Sequence, residues 1–418
     1  MPSALAAKFD VAACRAQFPA LERRVNGHPA AFFDGPGGTQ CPRSVIDAVA
    51  GYLANTNANH GGVFATSVES DRLLDEAHAA LADFVGSPDP DTIAFGQNMT
   101  SLTFALSRAL ARTWRKGDEV IVTRLDHDAN VSPWKLAALD AGAVVREIPF
   151  ELETGVLDLE AFSQALSPRT RLVAVGCASN ALGTINPVAE IGRLAHAMGA
   201  EVFLDAVHFA PHAAIDVVDW DCDYLACSAY KFFGPHVGVL YGKRERLEEL
   251  TAYKLRPATN DLPGKWMTGT QSHEGIVGAR AAVDYVASLG QTPGEAPLAR
   301  RPALLAAWER IGDYERELMR RLLEGLNEIP DVRIWGLADA ARLHERAPTV
   351  SITHRRVASQ ALAERLAERG LFVWHGNFYA LSVTESLGLE PAGLVRIGLA
   401  HYNTAAEVDR LLQELAAA

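Results

Sequence analysis

From about residue 90 to residue 245, the chain alternates short apolar runs with segments of helical periodicity. The apolar runs are TIAFG (92–96), EVIVTRL (119–125), AVVREIPF (143–150), RLVAVGCAS (171–179), EVFLDAV (201–207), YLACSA (224–229) and VGVLYG (237–242). Nearly continuous Val, Ile, Leu and Phe in strands that helices separate is typical of a parallel sheet covered on both faces. We therefore predict an α/β fold with a mostly parallel seven-stranded sheet.

The pattern changes after the segment GQTPGEAPLARR (290–301). A long amphipathic helix, roughly 302–328, leads to the strands APTVSIT, LFVWHG and LVRIGLAH with helices between and after them. This order predicts a smaller α+β domain over residues 302–418 and a large domain over residues 31–290. Residues 1–30 are predicted to pack on the small domain.

Composition and charge exclude several classes of protein. The 418 residues include 51 acidic and 39 basic ones, and the net charge of −12 argues against nucleic acid as a partner. No apolar run approaches the roughly 18 residues of a membrane span. The N-terminus lacks the basic and apolar regions of a signal peptide, so we expect a cytoplasmic protein without a membrane partner.

Cysteine usage predicts reduced thiols. The five cysteines are Cys14, Cys41, Cys177, Cys222 and Cys227. They form no CxxC pair, and three of them lie in strand-like apolar sequence. This favours buried thiols over disulfides or a zinc site. His208 and His212 have a spacing that a metal pair can use, but no third ligand is evident, and we predict no metal.

Polar residues follow four of the predicted strands at the point where each strand ends. They are His127, Asn180, Asp205 and Lys231. Each has an ordinary structural explanation when taken alone, as a core histidine, a turn asparagine, a capping aspartate or a surface lysine. Because an open α/β sheet binds its ligand at the carboxyl ends of its strands, the four together predict a site there.

An aspartate followed 26 residues later by a strand-end lysine indicates pyridoxal 5′-phosphate (PLP). Lys231 would form the Schiff base, and Asp205 would keep the pyridine nitrogen protonated. The stretch FGQNMTSLTFAL (95–106) supplies a strand, a turn and a helix start. Backbone N–H groups near Asn98, Met99 and Thr100 would receive the phosphate, although an ordinary helix cap has the same appearance.

Three longer stretches resemble a known family. They are LDHDANVSPW, SNALGTINPVAEIGRLAHAMGAEVFLDAVHFAPH and VRIGLAHYNTAAEVDRLLQEL. Through them the chain resembles the fold-type I PLP enzymes of the class V aminotransferase group, in particular the Suf-type cysteine desulfurases, over roughly residues 30–415. The resemblance implies the PLP-dependent transferase fold and a homodimer with shared active sites.

The resemblance also implies roles for individual residues. The catalytic residues would be Lys231, Asp205 and His127, the last stacked on the cofactor ring. The remaining cofactor-binding set would be Asn98, Met99, Thr100, Asn180, His208, Ser228 and Tyr230, with Thr270 reaching the neighbouring subunit's site. The substrate would contact Arg396, which clamps its carboxylate, together with Asn180, His60 and His375.

The chain departs from the desulfurases in three places. Their small domain presents a cysteine that attacks the substrate sulfur, whereas the equivalent FVWHGNFYALSVTESLGL (372–389) has none, and no cysteine follows Cys227. Tyr230 stands where they have histidine, and His208 where they have glutamine. The latter two changes resemble kynureninases.

We therefore expect a PLP-dependent enzyme that cleaves a Cβ–X bond of a small α-amino acid without a cysteine persulfide. Transamination or epimerisation is an alternative that uses the same residues. A PLP-binding partner protein that has lost catalysis is a further, non-enzymatic alternative.

Overall fold

The computed structural model describes residues 9–418. Within that range the helices are α1 (Val11–Arg15), α2 (Arg43–Asn55), α3 (Ala65–Val85), α4 (Met99–Ala111), α5 (Ser132–Ala141), α6 (Leu159–Ala165), α7 (Val188–Ala197), α8 (Arg244–Glu249), α9 (His273–Gly290), α10 (Arg300–Asn327), α11 (Ser359–Glu368), α12 (Leu381–Ser386) and α13 (Ala405–Ala416). The strands are β1 (Arg24–Val25), β2 (His28–Pro29), β3 (Ala31–Phe32), β4 (Ile93–Gly96), β5 (Glu119–Thr123), β6 (Val144–Ile148), β7 (Thr170–Gly176), β8 (Glu201–Asp205), β9 (Tyr224–Ser228), β10 (Gly238–Gly242), β11 (Val332–Trp335), β12 (Thr349–His354), β13 (Leu371–Phe372), β14 (Trp374–Gly376) and β15 (Leu394–Gly398).

The seven predicted strands form one seven-stranded sheet in the order β4-β10-β9-β8-β7-β5-β6. Neighbouring strands from β9 to β6 are parallel, and β10 runs antiparallel to both β9 and β4. The central strands are apolar because helices cover both faces of the sheet, and β9 and β10 are buried at every position, whereas the edge strand β6 is mostly exposed. The prediction of a mostly parallel α/β sheet is confirmed.

Local sequence explains where several helices begin and end. The Asn98 side chain accepts a hydrogen bond from Ser101 N at the start of α4. Pro187 precedes α7, and Gly199 follows it with a φ of 78° that favours glycine. Thr404 and Glu407 form a reciprocal capping box at the start of α13.

A second, four-stranded sheet has the order β11-β12-β15-β14 and packs with α10, α11 and α13. The long helix α10 contacts α9 and α3 on one side and α13 and β11 on the other, so it joins the two sheets. The predicted domain limits stay predictions. Residues 31–32, at the start of the predicted large domain, pair in parallel with β13 of the second half.

The chain before β1 contacts this second half. Phe9 stacks on Tyr314 of α10 with 5.0 Å between ring centroids. Arg15 forms an ion pair with Glu407 at 2.9 Å. Residues 1–8 of the segment that was predicted to pack on the small domain lie outside the described residues. Among residues 9–418, no helix combines the length and apolar character needed to cross a membrane.

Candidate active site

A cavity of about 610 Å³ opens at the carboxyl edge of the seven-stranded sheet. Ten of the predicted site residues line it: Asn98, Met99, Thr100, His127, Asn180, Asp205, His208, Ser228, Tyr230 and Lys231. They come together because the parallel strands β5, β7, β8 and β9 all end at this edge.

Lys231 ends a short 3₁₀-helical turn that follows β9. Its Nζ donates a hydrogen bond to the Pro36 carbonyl and lies 4.9 Å from the centroid of the Tyr230 ring. Burial, and next the charge of Arg396, lower the pKa of Lys231 to about 7. A substantial share of this amine is therefore neutral near pH 7, the form that attacks a carbonyl carbon.

Asp205 is the last residue of β8 and is buried. Its Oδ1 accepts a hydrogen bond from Val207 N at 2.9 Å. Burial raises the pKa of Asp205 to about 6, while that hydrogen bond and the charge of Lys231 lower it. The carboxylate is thus largely ionised at pH 7 and can hold a cationic ring nitrogen.

The first turn of α4 forms one wall of the cavity. Met99 N donates to Ser228 Oγ at 2.9 Å, and Asn98 Oδ1 accepts from Ser101 N at 2.9 Å. Gly238 of β10 packs directly on this turn, since a Cβ there would lie 2.4 Å from the Asn98 carbonyl carbon. The N-terminus of α4, with its positive end of the helix dipole, therefore faces the cavity and suits an anion.

The imidazole of His127 is neutral. Its Nδ1 accepts a hydrogen bond from Ala129 N at 3.0 Å, which places the proton on Nε2. Burial, and next the charges of Lys231 and Arg396, lower the pKa of His127 to about 4. A neutral ring is suited to stacking on an aromatic cofactor.

Two other cavity residues carry buried polar atoms that have no hydrogen-bond partner in the described part of the chain. These are Asn180 Oδ1 and His208 Nε2. Burial places the pKa of His208 well below its usual value, so this ring is also neutral. Because buried polar atoms normally have partners, these two atoms are suited to a ligand with hydrogen-bonding groups.

These features fit PLP. The cavity contains an amine for the covalent link, a carboxylate for the ring nitrogen, a helix N-terminus for the phosphate and unpartnered polar atoms for the ring hydroxyl or the substrate. Within residues 9–418, no cluster of three or more His, Cys, Asp or Glu side chains is arranged to hold a metal ion. His212 instead pairs with Glu315 at 2.9 Å.

Four predicted residues do not line this cavity. Arg396 is buried, and its Nη1 donates to the Asn180 carbonyl at 2.9 Å. His60 and Thr270 line a second cavity of about 1110 Å³. His375 is exposed on β14. The assignment of Thr270 to a neighbouring subunit's site stays a prediction.

The structure adds residues that had no role in the predictions from sequence. Asp34 is half-buried; burial raises its pKa to about 6, and the charges of Arg396 and Lys231 act against this rise. Asp126 lines the cavity and accepts from Gly176 N at 2.9 Å. Phe378 and Tyr379 lie against Arg396 and His127. The sequence offered only their positions as a signal. Asp34 is in a glycine-rich loop, Asp126 directly precedes His127, and the two aromatic residues are in the segment that lacks cysteine.

The thiols lie away from the cavity. All five cysteines are free; four are buried, and Cys41 is half-buried. Cys227 directly precedes Ser228, yet it is buried inside β9, and burial raises its pKa. Among the described residues no cysteine lines the Lys231 cavity.

Comparisons with known proteins identify the family of this chain. The family model for aminotransferase class-V matches residues 31–411. A probable cysteine desulfurase of Synechocystis sp. is 32% identical over 97% of this chain and 95% of its own length. A cysteine desulfurase of Pectobacterium atrosepticum is 32% identical over 97% of both chains. A third relative, a probable cysteine desulfurase of Mycolicibacterium paratuberculosis, is 33% identical over 97% of this chain, which spans 58% of its length.

Solved structures of cysteine desulfurases have the same fold as this chain. A crystal structure of a cysteine desulfurase from Escherichia coli superposes with a TM-score of 0.83 at 26% identity, covering 97% of each chain. The apo structure of a cysteine desulfurase from Thermococcus onnurineus also has a TM-score of 0.83 at 26% identity, covering 95% of this chain and 96% of its own.

Proposed function

Because this chain belongs to the class V aminotransferase family and is a PLP-dependent enzyme, we propose that it cleaves a Cβ–X bond of a small α-amino acid without a cysteine persulfide. The proposal is supported by the segment 372–389, which contains no cysteine. Phe378 of this segment contacts Arg396, and Tyr379 contacts His127. No cysteine occurs anywhere after Cys227.

The residues around the cavity supply the groups that such a reaction needs. Bound PLP withdraws electrons from the substrate Cα and makes its proton acidic. Lys231 Nζ, with a pKa of about 7, accepts that proton and later returns one. Asp205 would hold the ring nitrogen, and the first turn of α4 with Ser228 would hold the phosphate, since all of them line the cavity. Arg396 binds the substrate carboxylate through its free N–H groups.

A nucleophilic thiol is required only when the Cβ substituent cannot leave by itself. A sulfinate leaves as SO₂ and a β-carboxylate as CO₂, and in both cases the bonding electrons stay on Cβ. A proton then adds to Cβ, and the product is alanine. Cysteine sulfinate and aspartate are therefore the substrates that fit a site without a thiol.

We extend the proposal to a cytoplasmic homodimer. Val63 and Phe64, beside the His60 and Thr270 cavity, are 100% and 58% exposed, and Leu255 in the same cavity is 68% exposed. Large exposed apolar side chains that adjoin one another are typical of an interface. The mass of the protein in solution tests this, with twice the chain mass as the expected result and a monomer as the contrary one.

Alanine release tests the reaction. PLP-loaded protein is offered L-cysteine, L-cysteine sulfinate or L-aspartate separately, without an oxo-acid acceptor, and the Lys231→Ala variant is the control. We expect alanine from cysteine sulfinate or aspartate and none from cysteine. Rapid release of alanine and sulfide from cysteine would overturn the proposal. No alanine release from any of the three compounds would favour transamination or epimerisation.

A further inference from the structure

The aromatic loop, residues 376–380, contacts three of the predicted site residues. The Arg396 guanidinium lies over the Phe378 ring, with 4.3 Å between the Arg396 Cζ and the ring centroid. Asn180 Nδ2 donates to the Phe378 carbonyl at 2.9 Å. The Tyr379 ring stacks on His127 with 5.6 Å between centroids and 24° between planes. Two consecutive side chains and one carbonyl thus reach all three residues.

The backbone of the aromatic loop adopts a conformation that is unfavourable for these residues. Phe378 and Tyr379 both have a φ of 57°, in the left-handed region that L-residues with a Cβ rarely occupy. Besides the bond from Asn180, further hydrogen bonds hold it: Tyr379 N donates to Asn377 Oδ1 at 3.1 Å, and Asp128 N donates to the Tyr379 carbonyl at 2.6 Å. Contacts with another part of the chain maintain this strained conformation. Such strain indicates that the positions of these side chains are required.

Arg396 has few other partners. It is buried, Nη1 donates to the Asn180 carbonyl, and Nε has no hydrogen-bond partner among residues 9–418. Within the same range Arg396 makes no ion pair, and Asp34 is the acidic residue whose charge most favours its cationic form. A buried guanidinium with free N–H groups and no carboxylate partner is ready for one.

The Phe378 ring is an aromatic contact of this guanidinium. A guanidinium over the face of a ring is attracted by the π electrons of the ring, and this attraction needs no hydrogen bond from its N–H groups. The Asn180 carbonyl accepts a hydrogen bond from Nη1, so the remaining N–H groups, which include Nε–H, are those that can donate to a carboxylate. Without the ring, the side chain would lose this contact.

We propose that Phe378 is a positioning residue that holds Arg396 in the orientation that binds the α-carboxylate of the substrate. Tyr379 anchors the aromatic loop on His127 and so couples this clamp to the residue on the cofactor side. The inference rests on the role of Arg396 in the proposed function, but not on which Cβ bond is cleaved.

The test compares two ligands that differ only in the carboxylate. L-alanine and ethylamine are titrated into the PLP-loaded protein, and dissociation constants are read from the change in cofactor absorbance. Phe378→Leu and Phe378→Met remove the ring, Phe378→Tyr keeps it, and Arg396→Met removes the cation. Two ring-free variants are used because an effect that both share is due to loss of the ring, whereas an effect of only one is due to a packing defect in that variant.

We expect the ring-free variants to bind alanine about tenfold more weakly, since this contact amounts to a cation–π interaction at a desolvated site. Their affinity for ethylamine should not change, and Phe378→Tyr should behave like the wild type. In the Arg396→Met background, Phe378→Leu should have no further effect on alanine.

Equal weakening of both ligands, or no change in either, would overturn the inference. A wild-type protein that does not prefer alanine to ethylamine would overturn it as well, because no carboxylate clamp would then exist. Failure of the proposed Cβ–X cleavage is a separate result. It would appear as absent alanine release from cysteine sulfinate and aspartate while the preference for the carboxylate persists.

Discussion

The backbone N–H of Met99 donates a hydrogen bond to the Ser228 hydroxyl over 2.9 Å. This contact joins the first turn of α4 to the end of β9, three residues before Lys231. The proposed phosphate site and the amine proposed to bind the cofactor therefore have a common support. Both lie beside the end of β9.

Replacement of Ser228 by Ala should weaken PLP binding. The Met99 N–H would lose its acceptor in a buried position, at a cost of about 1–3 kcal/mol. We expect the dissociation constant of PLP to rise roughly tenfold or more. Equilibrium binding followed by protein fluorescence measures this change. Ser107→Ala, on the same helix but away from the cavity, is the control and should bind PLP like the wild type.

Replacement of Gly238 by Ala should disturb the same turn. The new Cβ would lie 2.4 Å from the Asn98 carbonyl carbon, which is backbone and cannot move aside cheaply. We expect a loss of about 1–3 kcal/mol in the free energy of unfolding, together with weaker PLP binding. Urea denaturation measures the first quantity.

Gly51→Ala is the matched control, because a Cβ at this position would point into open space, with no atom of another element within 4 Å. Gly51 is inside α2, so alanine should be neutral or stabilise the protein by about 0.5–1 kcal/mol. Equal destabilisation by both substitutions would show that the close approach at Gly238 has no special importance.

The rate of cofactor attachment should depend on pH through Lys231. Its pKa is lowered to about 7, so the neutral amine that attacks the aldehyde of PLP increases as the pH rises through 7. We expect the rate of covalent attachment to apoprotein, followed by cofactor absorbance, to have its midpoint near pH 7. A midpoint near the ordinary lysine value of 10.5 would contradict this. Arg396→Met removes a charge that lowers this pKa and should move the midpoint upward.

Replacement of Asp205 by Asn should separate cofactor binding from turnover. An amide cannot supply the negative charge that keeps the ring nitrogen protonated, so we expect alanine release to fall at least about a hundredfold. PLP should remain attached through Lys231, as the mass of the borohydride-reduced protein would show. The exposed Asp219→Asn is the control. Turnover equal to the wild type would exclude this role of Asp205.

Much of the sheet and of the cofactor end of the site was predictable. Each of the seven predicted apolar runs contains a strand of the sheet, although β7 begins one residue earlier and most runs extend beyond the observed strand. His127, Asn180, Asp205 and Lys231 follow or end these strands and meet at one cavity. The two-residue strand β13 and its parallel pairing with β3 were not predicted, since the run LFVWHG has the pattern of one strand.

The sequence by itself determined that the polar residues following β5, β7, β8 and β9 meet at one edge of the sheet, because burial on both faces of a parallel sheet imposes a local apolar pattern whose ends can be read directly. Only the tertiary structure decided what covers the substrate side. Asn180 meets Phe378 across 198 residues of chain, and Arg396 meets the Asn180 carbonyl across 216. Such contacts depend on how the four-stranded sheet packs on the large one. The periodicity of a local stretch of sequence contains no information on that packing. The contacts of Phe378 with Arg396 and of Tyr379 with His127 were therefore visible only in the folded chain.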